Sequence, residues 1–190
     1  MSQKVEDPTG VTICQTAYGW VGIAWSERGL VALTLPEASE AAVLSRLPVG
    51  SAQRPAATPG LDITILCEKL QAYFEGDVVL FDEPLDGTIG TQFQQRVWAL
   101  TRAIPRGQTR TYGQIARQAG SPGAARAVGQ TMARNPRPIV VPCHRLVGGD
   151  GSLTGFGGGI DVKRRMLEME GARLLLSGLS AQEPGANQDR

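Results

Sequence analysis

The chain of 190 residues contains one histidine, three cysteines and three tyrosines. Cys14, Cys67 and Cys143 are odd in number and far apart, which excludes a disulfide framework and suits a reducing compartment. With His144 as the sole imidazole, a structural zinc site cannot gather its four Cys and His ligands, so no metal and no cofactor are expected. No apolar run approaches the roughly 18 residues that span a bilayer. The polar start MSQKVEDPTG has no apolar secretion core, so a cytoplasmic protein with no membrane partner is expected. Acidic residues are also scarce in one place. Residues 101–165 carry 11 Lys/Arg but only Asp150 and Asp161 as acids, whereas residues 1–100 carry 6 Lys/Arg and 12 Asp/Glu. A basic block between acidic flanks fits a polyanion-binding face. It equally fits a solvated surface whose arginines pair with the acidic half.

The hydrophobic pattern suggests an α+β chain. VTICQTA (11–17), WVGIAWS (20–26) and LVALTL (30–35) are β-branched or aromatic runs with short breaks, the pattern of an antiparallel meander. A helix is expected over 39–47, a Pro/Gly/Ala-rich linker over 48–60, and a helix over 61–76 that stops at Gly76. Cys14 and Cys67 fall inside these apolar patterns and read as core thiols. FDEPLDGTIG (81–90) interrupts the pattern and divides the chain into 1–85 and 86–175, followed by a disordered tail, 176–190. Beyond it, Thr91 can cap a helix to about Ala103 with Phe93, Val97 and Leu100 on one face. A short helix over 111–119 and a second, capped by Ser121 with Pro122 at its first position and running to Arg134, make a helix-turn-helix. The second helix, GAARAVGQTMA, is nearly all small residues. Its buried stripe would be Ala125, Val128 and Met132, with Arg126 outside. The small face suits either close helix packing or close approach of a partner.

PIVVPCHRLV (138–147) reads as a buried strand that Pro142 interrupts just before Cys143. A glycine-rich run (148–159) and an amphipathic helix (161–172) follow; no Gly-Lys-Ser/Thr closes the run as a P-loop. An inert thiol gains nothing from an adjacent imidazole and arginine. A thiolate does, because a base and positive charge lower its pKa. Glu168 and Glu170 could orient the ring. A structural cysteine and a reactive one both remain open from these residues alone.

NPRPIVVPCHRLVGGDGSLTGFGGG, together with TYGQIARQAGSPGAARAVG, resembles the C-terminal domain of the bacterial O6-alkylguanine-DNA alkyltransferases; the strong likeness covers residues 91–171. The resemblance implies an N-terminal ribonuclease H-like meander with helices and a C-terminal winged helix-turn-helix. It implies DNA repair by direct reversal. O6-alkylguanine, with O4-alkylthymine as a second candidate, is flipped out of duplex DNA, and its alkyl group moves once and irreversibly to Cys143. His144 would be the base, acting through a water, and Glu170 would orient it. Tyr112 would assist the leaving guanine, and Asn135 would hold the turn presenting the cysteine. Arg126 would fill the gap in the base stack. Ser121, Ala125, Ala127, Gly129 and Thr109 would face DNA through its minor groove. Tyr112, Val141, Phe156 and Gly157 would line the substrate pocket. Phe156 stands where many relatives carry tyrosine, which implies that a hydroxyl is missing while packing on a base is kept. Gly157 stands where some carry serine, which implies contact with the guanine oxygen from backbone N–H groups and a roomier pocket. The protein is expected to act as a monomer, with clustering along DNA left open. Two other functions compete: a non-catalytic alkyltransferase-like lesion binder, against which Cys143 argues, and a cysteine hydrolase, against which the basic block argues.

Overall fold

The computed structural model describes residues 8, 10–48 and 58–172. The tail 176–190 and most of the linker 48–60 lie outside the described residues. Strands β1 (Gly10–Thr16), β2 (Gly19–Ser26) and β3 (Gly29–Leu33) form an antiparallel sheet in that order. The hairpins close tightly, with Thr16 opposite Gly19 and Ser26 opposite Gly29. Gly29 has φ +140°, and a Cβ there would fall 2.5 Å from the Pro84 carbonyl oxygen, so only glycine fits. That close approach lets the Leu30 N–H donate to Pro84 O (2.8 Å) and the Asp86 N–H donate to Leu30 O (3.1 Å). The interrupted segment 81–90 is thus stitched in part to the free edge of β3.

Six α-helices accompany the sheet among the described residues. Helix α1 (Glu40–Arg46) is capped by Ser39. Helix α2 (Ile63–Glu75) is capped by Asp62 and stops at left-handed Gly76. Helix α3 (Gln92–Arg102) and helix α4 (Tyr112–Gln118) both open on capping boxes, Thr91 with Gln94 and Thr111 with Gln114. Helix α5 (Ala125–Ala133) packs on α3 and α4. Helix α6 (Ile160–Met169) closes the order, with Gly171 in the left-handed conformation behind it. Two-residue strands β4 (Arg110–Thr111) and β5 (Leu146–Val147) pair in parallel.

Two expected elements differ. Ser121 does not cap α5. The helix begins at Ala125 with no side-chain cap, because Gly123 has φ +88° and breaks the helical path. Residues 138–147 are not a buried strand; only Leu146 and Val147 pair. The segment instead folds through local bonds, Val141 N–H to Arg137 O (2.8 Å) and Cys143 N–H to Val141 O (2.8 Å). Prolines at 136, 138 and 142 remove the donors a ladder would need.

This segment joins two cores. Ile139 and Val140 are buried with the sheet, α2 and Met166, whereas Val141 and Cys143 are buried with α3, α4 and α5. Ile139 has φ +75°, a left-handed conformation that costs a β-branched residue about 1–3 kcal/mol. Burial of a valine or isoleucine side chain contributes about 1.5–3 kcal/mol each, so the two cores can hold the strained segment. The edge strand also holds it, since the Leu33 N–H donates to Pro136 O at 2.8 Å.

Candidate active site

Pro142 has φ −77° and ψ 72°, and the Cys143 N–H bonds back to Val141 O, so the backbone makes an inverse γ-turn there. A single 3-10 turn, Cys143–Arg145, follows. Together they turn the Cys143 side chain into the wall of a cavity of about 1000 Å3. The Asn135 side chain fixes the same bend. Its amide donates to Val141 O (2.8 Å), and its carbonyl oxygen accepts from the Arg137 N–H (3.1 Å).

His144 and Glu170 lie behind the thiol, away from the cavity. His144 is fully buried, with Nε2 2.9 Å from Glu170 Oε1. Glu170 also accepts from Tyr73 Oη (2.8 Å), from Arg145 Nε on Oε2 (2.9 Å) and from Arg145 Nη2 on Oε1 (2.8 Å). Arg145 donates its remaining terminal nitrogen to Ile104 O. Burial would raise the Glu170 pKa, but His144 and Arg145 hold the carboxyl well below the usual carboxylate range. An ionised Glu170 only accepts, so the hydrogen on His144 belongs on Nε2. His144 Nδ1 is then a bare lone pair, and this buried atom has no protein partner. Burial also lowers the imidazole pKa from its ordinary value, with Glu170 opposing, so the ring is a neutral acceptor.

The cysteine differs from the sequence expectation. Burial pushes the Cys143 thiol up, although a hydrogen bond from Asn135 and the charge of Lys163 both work the other way. The resting side chain is a thiol, and attack requires a base. Lys163 is itself fully buried. Its ammonium donates to Thr154 O (2.8 Å), lies 5.8 Å from the Tyr112 ring centroid, and is lowered to about 8 by burial. Burial raises the half-buried Tyr112 hydroxyl, and a hydrogen bond with Thr154 partly offsets this.

Eight of the expected site residues meet around one cavity: Cys143, Tyr112, Asn135, Phe156, Gly157, Ala125, Arg126 and Gly129. Ala125 is half-buried on that wall and is not in the buried stripe of α5, which consists of Val128, Thr131 and Met132. Arg126 is exposed, and a side chain added at Gly129 would meet nothing within 4 Å. Val141 is not on the wall; it is fully buried behind it. Ser121, Ala127 and Thr109 do not line the cavity either. Tyr73, Arg145 and Lys163 were not singled out as site residues. Their only sequence signals were a tyrosine in an apolar helical pattern, the arginine beside the Cys-His pair, and a lysine at a position of α6 where burial is not expected.

The basic block divides in two. Arg102, Arg106, Arg137 and Arg145 bond backbone carbonyls or Glu170 inside the fold. Arg117, Arg126, Arg134, Arg164 and Arg165 remain exposed.

Residues 92–172 match the family model described as the 6-O-methylguanine DNA methyltransferase, DNA binding domain. Curated relatives named methylated-DNA–protein-cysteine methyltransferase are similar over somewhat more than half of the chain. The Mycobacterium tuberculosis protein is 56% identical over 106 residues, 56% of this chain and 64% of that protein. The Salmonella typhimurium protein is 51% identical over 110 residues, 58% of this chain and 64% of that protein. The aligned stretch therefore spans just under two thirds of the length of these relatives. Solved structures extend the likeness. A variant of the Mycobacterium tuberculosis O6-methylguanine methyltransferase superimposes with TM-score 0.68 at 40% identity, covering 86% of this chain and 93% of that one. The Mycobacterium tuberculosis protein in complex with DNA gives TM-score 0.66 at 38% identity, covering 85% of this chain and 92% of that one.

Proposed function

The chain belongs to the O6-methylguanine DNA methyltransferase family, and we propose on that premise that it repairs DNA by direct reversal, moving an alkyl group from O6 of guanine to its own Cys143. The observation that carries this reading is Cys143 on the cavity wall, followed in the chain by a buried His144 whose Nε2 is held by Glu170 and whose Nδ1 has no protein partner. The Cys143 proton passes to His144 Nδ1 through a water. The sulfur electron pair then attacks the alkyl carbon, the S–C bond forms, and the O6–C bond breaks. Glu170 keeps the accepting nitrogen on the thiol side by taking the Nε2 hydrogen, and Arg145 and Tyr73 hold Glu170 in place. The imidazolium that forms is stabilised by the ionised Glu170 beside it. Tyr112 lies on the cavity wall, where its hydroxyl supplies a proton or hydrogen bond to the departing guanine. Nothing in the cycle removes an S-alkyl group, so each molecule reacts once.

DNA is the partner, and its O6-alkylguanine must be flipped to reach the cavity. Helices α4 and α5 serve as the helix-turn-helix of a winged domain, residues 86–175, behind a ribonuclease H-like N-terminal part, residues 1–85. The side chain of Arg126 and the open backbone at Gly129 support insertion of α5 in the minor groove. Arg117, Arg134 and Arg164 are exposed and can contact phosphates without reading sequence, whereas the Arg165 guanidinium lies over the Tyr18 ring at 4.5 Å. A monomer in the cytoplasm fits this role. The test is incubation with duplex DNA carrying labelled O6-methylguanine. Label should appear on the protein at no more than one equivalent, and Cys143→Ser should abolish transfer while DNA binding persists. Repeated turnover, or transfer by the serine variant, would overturn the reading.

A further inference from the structure

The cavity over Cys143 adjoins a second one of about 550 Å3, and Leu35, Asn135, Pro138 and Gly157 line both. Leu35 follows β3 and comes from the half of the chain that carries none of the reacting groups. It nonetheless packs on the glycine-rich loop, since a Cβ added at Gly158 would lie 3.0 Å from Leu35 Cδ1. Beside it, Gly157 leaves the junction open: a side chain there would meet no atom within 4 Å. Beyond Leu35 the walls of the second cavity are mainly hydrocarbon, with Leu33, Leu47, Ile89 and Val162 among them.

We propose that this second groove is a subsite for the hydrocarbon tail of O6-alkyl groups longer than methyl, with Leu35 as the residue that sets how such tails pass. The proposal rests on the alkyl-transfer reading above and deepens it by naming the substrate class. A methyl group stays beside Cys143 in the first cavity. A longer chain attached to the same reacting carbon must leave that cavity or crowd it, and the junction at Leu35 and Gly157 is an apolar exit. Burial of each methylene favours the long substrate, because hydrocarbon leaves water for a hydrocarbon wall. The chemistry is unchanged: the S–C bond forms, the O6–C bond breaks, and the tail stays on the transferred carbon.

The experiment compares rates of transfer from O6-methylguanine and O6-butylguanine in one duplex for the full chain, Leu35→Trp and Ile89→Trp. Each tryptophan narrows the groove, and the methyl rate of each variant is its own reference for a folded site. The butyl-to-methyl ratio should fall about tenfold in both. An unchanged ratio in both overturns the groove. A measurement on the unsubstituted chain stands beside it. With 13C-labelled leucine and isoleucine methyl groups, Leu35 and Ile89 resonances should move after butyl transfer and stay in place after methyl transfer. Identical spectra for the two adducts overturn the proposal. If methyl transfer to Cys143 occurs while the ratio and the spectra are flat, only the groove falls. If no alkyl group reaches Cys143, the alkyl-transfer reading falls and takes the groove with it.

Discussion

Arg145 and Arg126 lie on opposite sides of the same cysteine and show two ways in which this molecule uses an arginine. The Arg145 guanidinium is committed, with two bonds to Glu170 and one to Ile104 O, and its side chain is 12% exposed. Arg126 is exposed on a helix whose neighbouring positions are alanine and glycine. Behind the thiol, nearly every hydrogen-bonding group has a partner inside the fold. In front of it, on α5, side chains are small and donors are left free. A buried network gains its strength from low dielectric and fixed geometry, and loses it when one member is removed. An open face contributes through what it can still bind.

Four substitutions probe that contrast, from the largest effect to the smallest. Glu170→Gln strikes the buried side. It removes the charge that Arg145 and His144 share, so stability should drop by about 3–5 kcal/mol, read from the denaturant midpoint. The loss should be present at neutral pH and shrink in acid. Glu170 is ionised in the folded state well below the ordinary carboxylate range, so its contribution is full above the unfolded pKa and disappears as pH falls through the folded one. A variant as stable as the parent at pH 7 would show that the network is not an energetic unit.

Lys163→Met tests the other buried cation. The folded pKa of Lys163 is lowered to about 8 from 10.5, so between those values the unfolded chain holds more protons and stability rises with pH. The parent should gain about 2 kcal/mol relative to Lys163→Met between pH 8 and pH 10, measured as the difference between their denaturation curves at the two values. Parallel pH profiles would mean that the ammonium is solvated.

Arg126→Ala strikes the open side. It should leave stability within about 0.5 kcal/mol. Repair in duplex DNA should slow about tenfold or more, while reaction with free O6-benzylguanine is barely changed. Equal losses on both substrates would remove Arg126 from the flipping role. Tyr73→Phe is the mildest. It deletes one donor to Glu170, which retains three, and should cost about 1 kcal/mol. A loss several times larger would place Tyr73 at the centre of the network.

Much of the molecule was legible before folding. The meander showed itself by β-branched runs between short turns, and α2, α3 and α4 by caps and apolar spacing, which are local signals. The start of α5 was misplaced because Ser121 and Pro122 imitate a helix opening, and the backbone turn at Gly123 that cancels it leaves no trace in hydrophobic periodicity. The segment 138–147 reads as a strand because buried irregular chain and buried strand share the same apolar composition.

The chain order alone therefore displayed Cys143 as a candidate nucleophile, the imidazole beside it and the small-residue helix, since these depend on residue type and short spacing. Tertiary structure decided the rest. It brought Tyr73 of α2 and Arg145 onto Glu170 beyond the end of α6, set the strained Ile139 between two cores, and ran the edge of β3 past the glycine-rich loop to Leu35. It also reversed the expected effect on the thiol, because burial depends on everything packed around Cys143 and outweighs the positive charge that its neighbours supply.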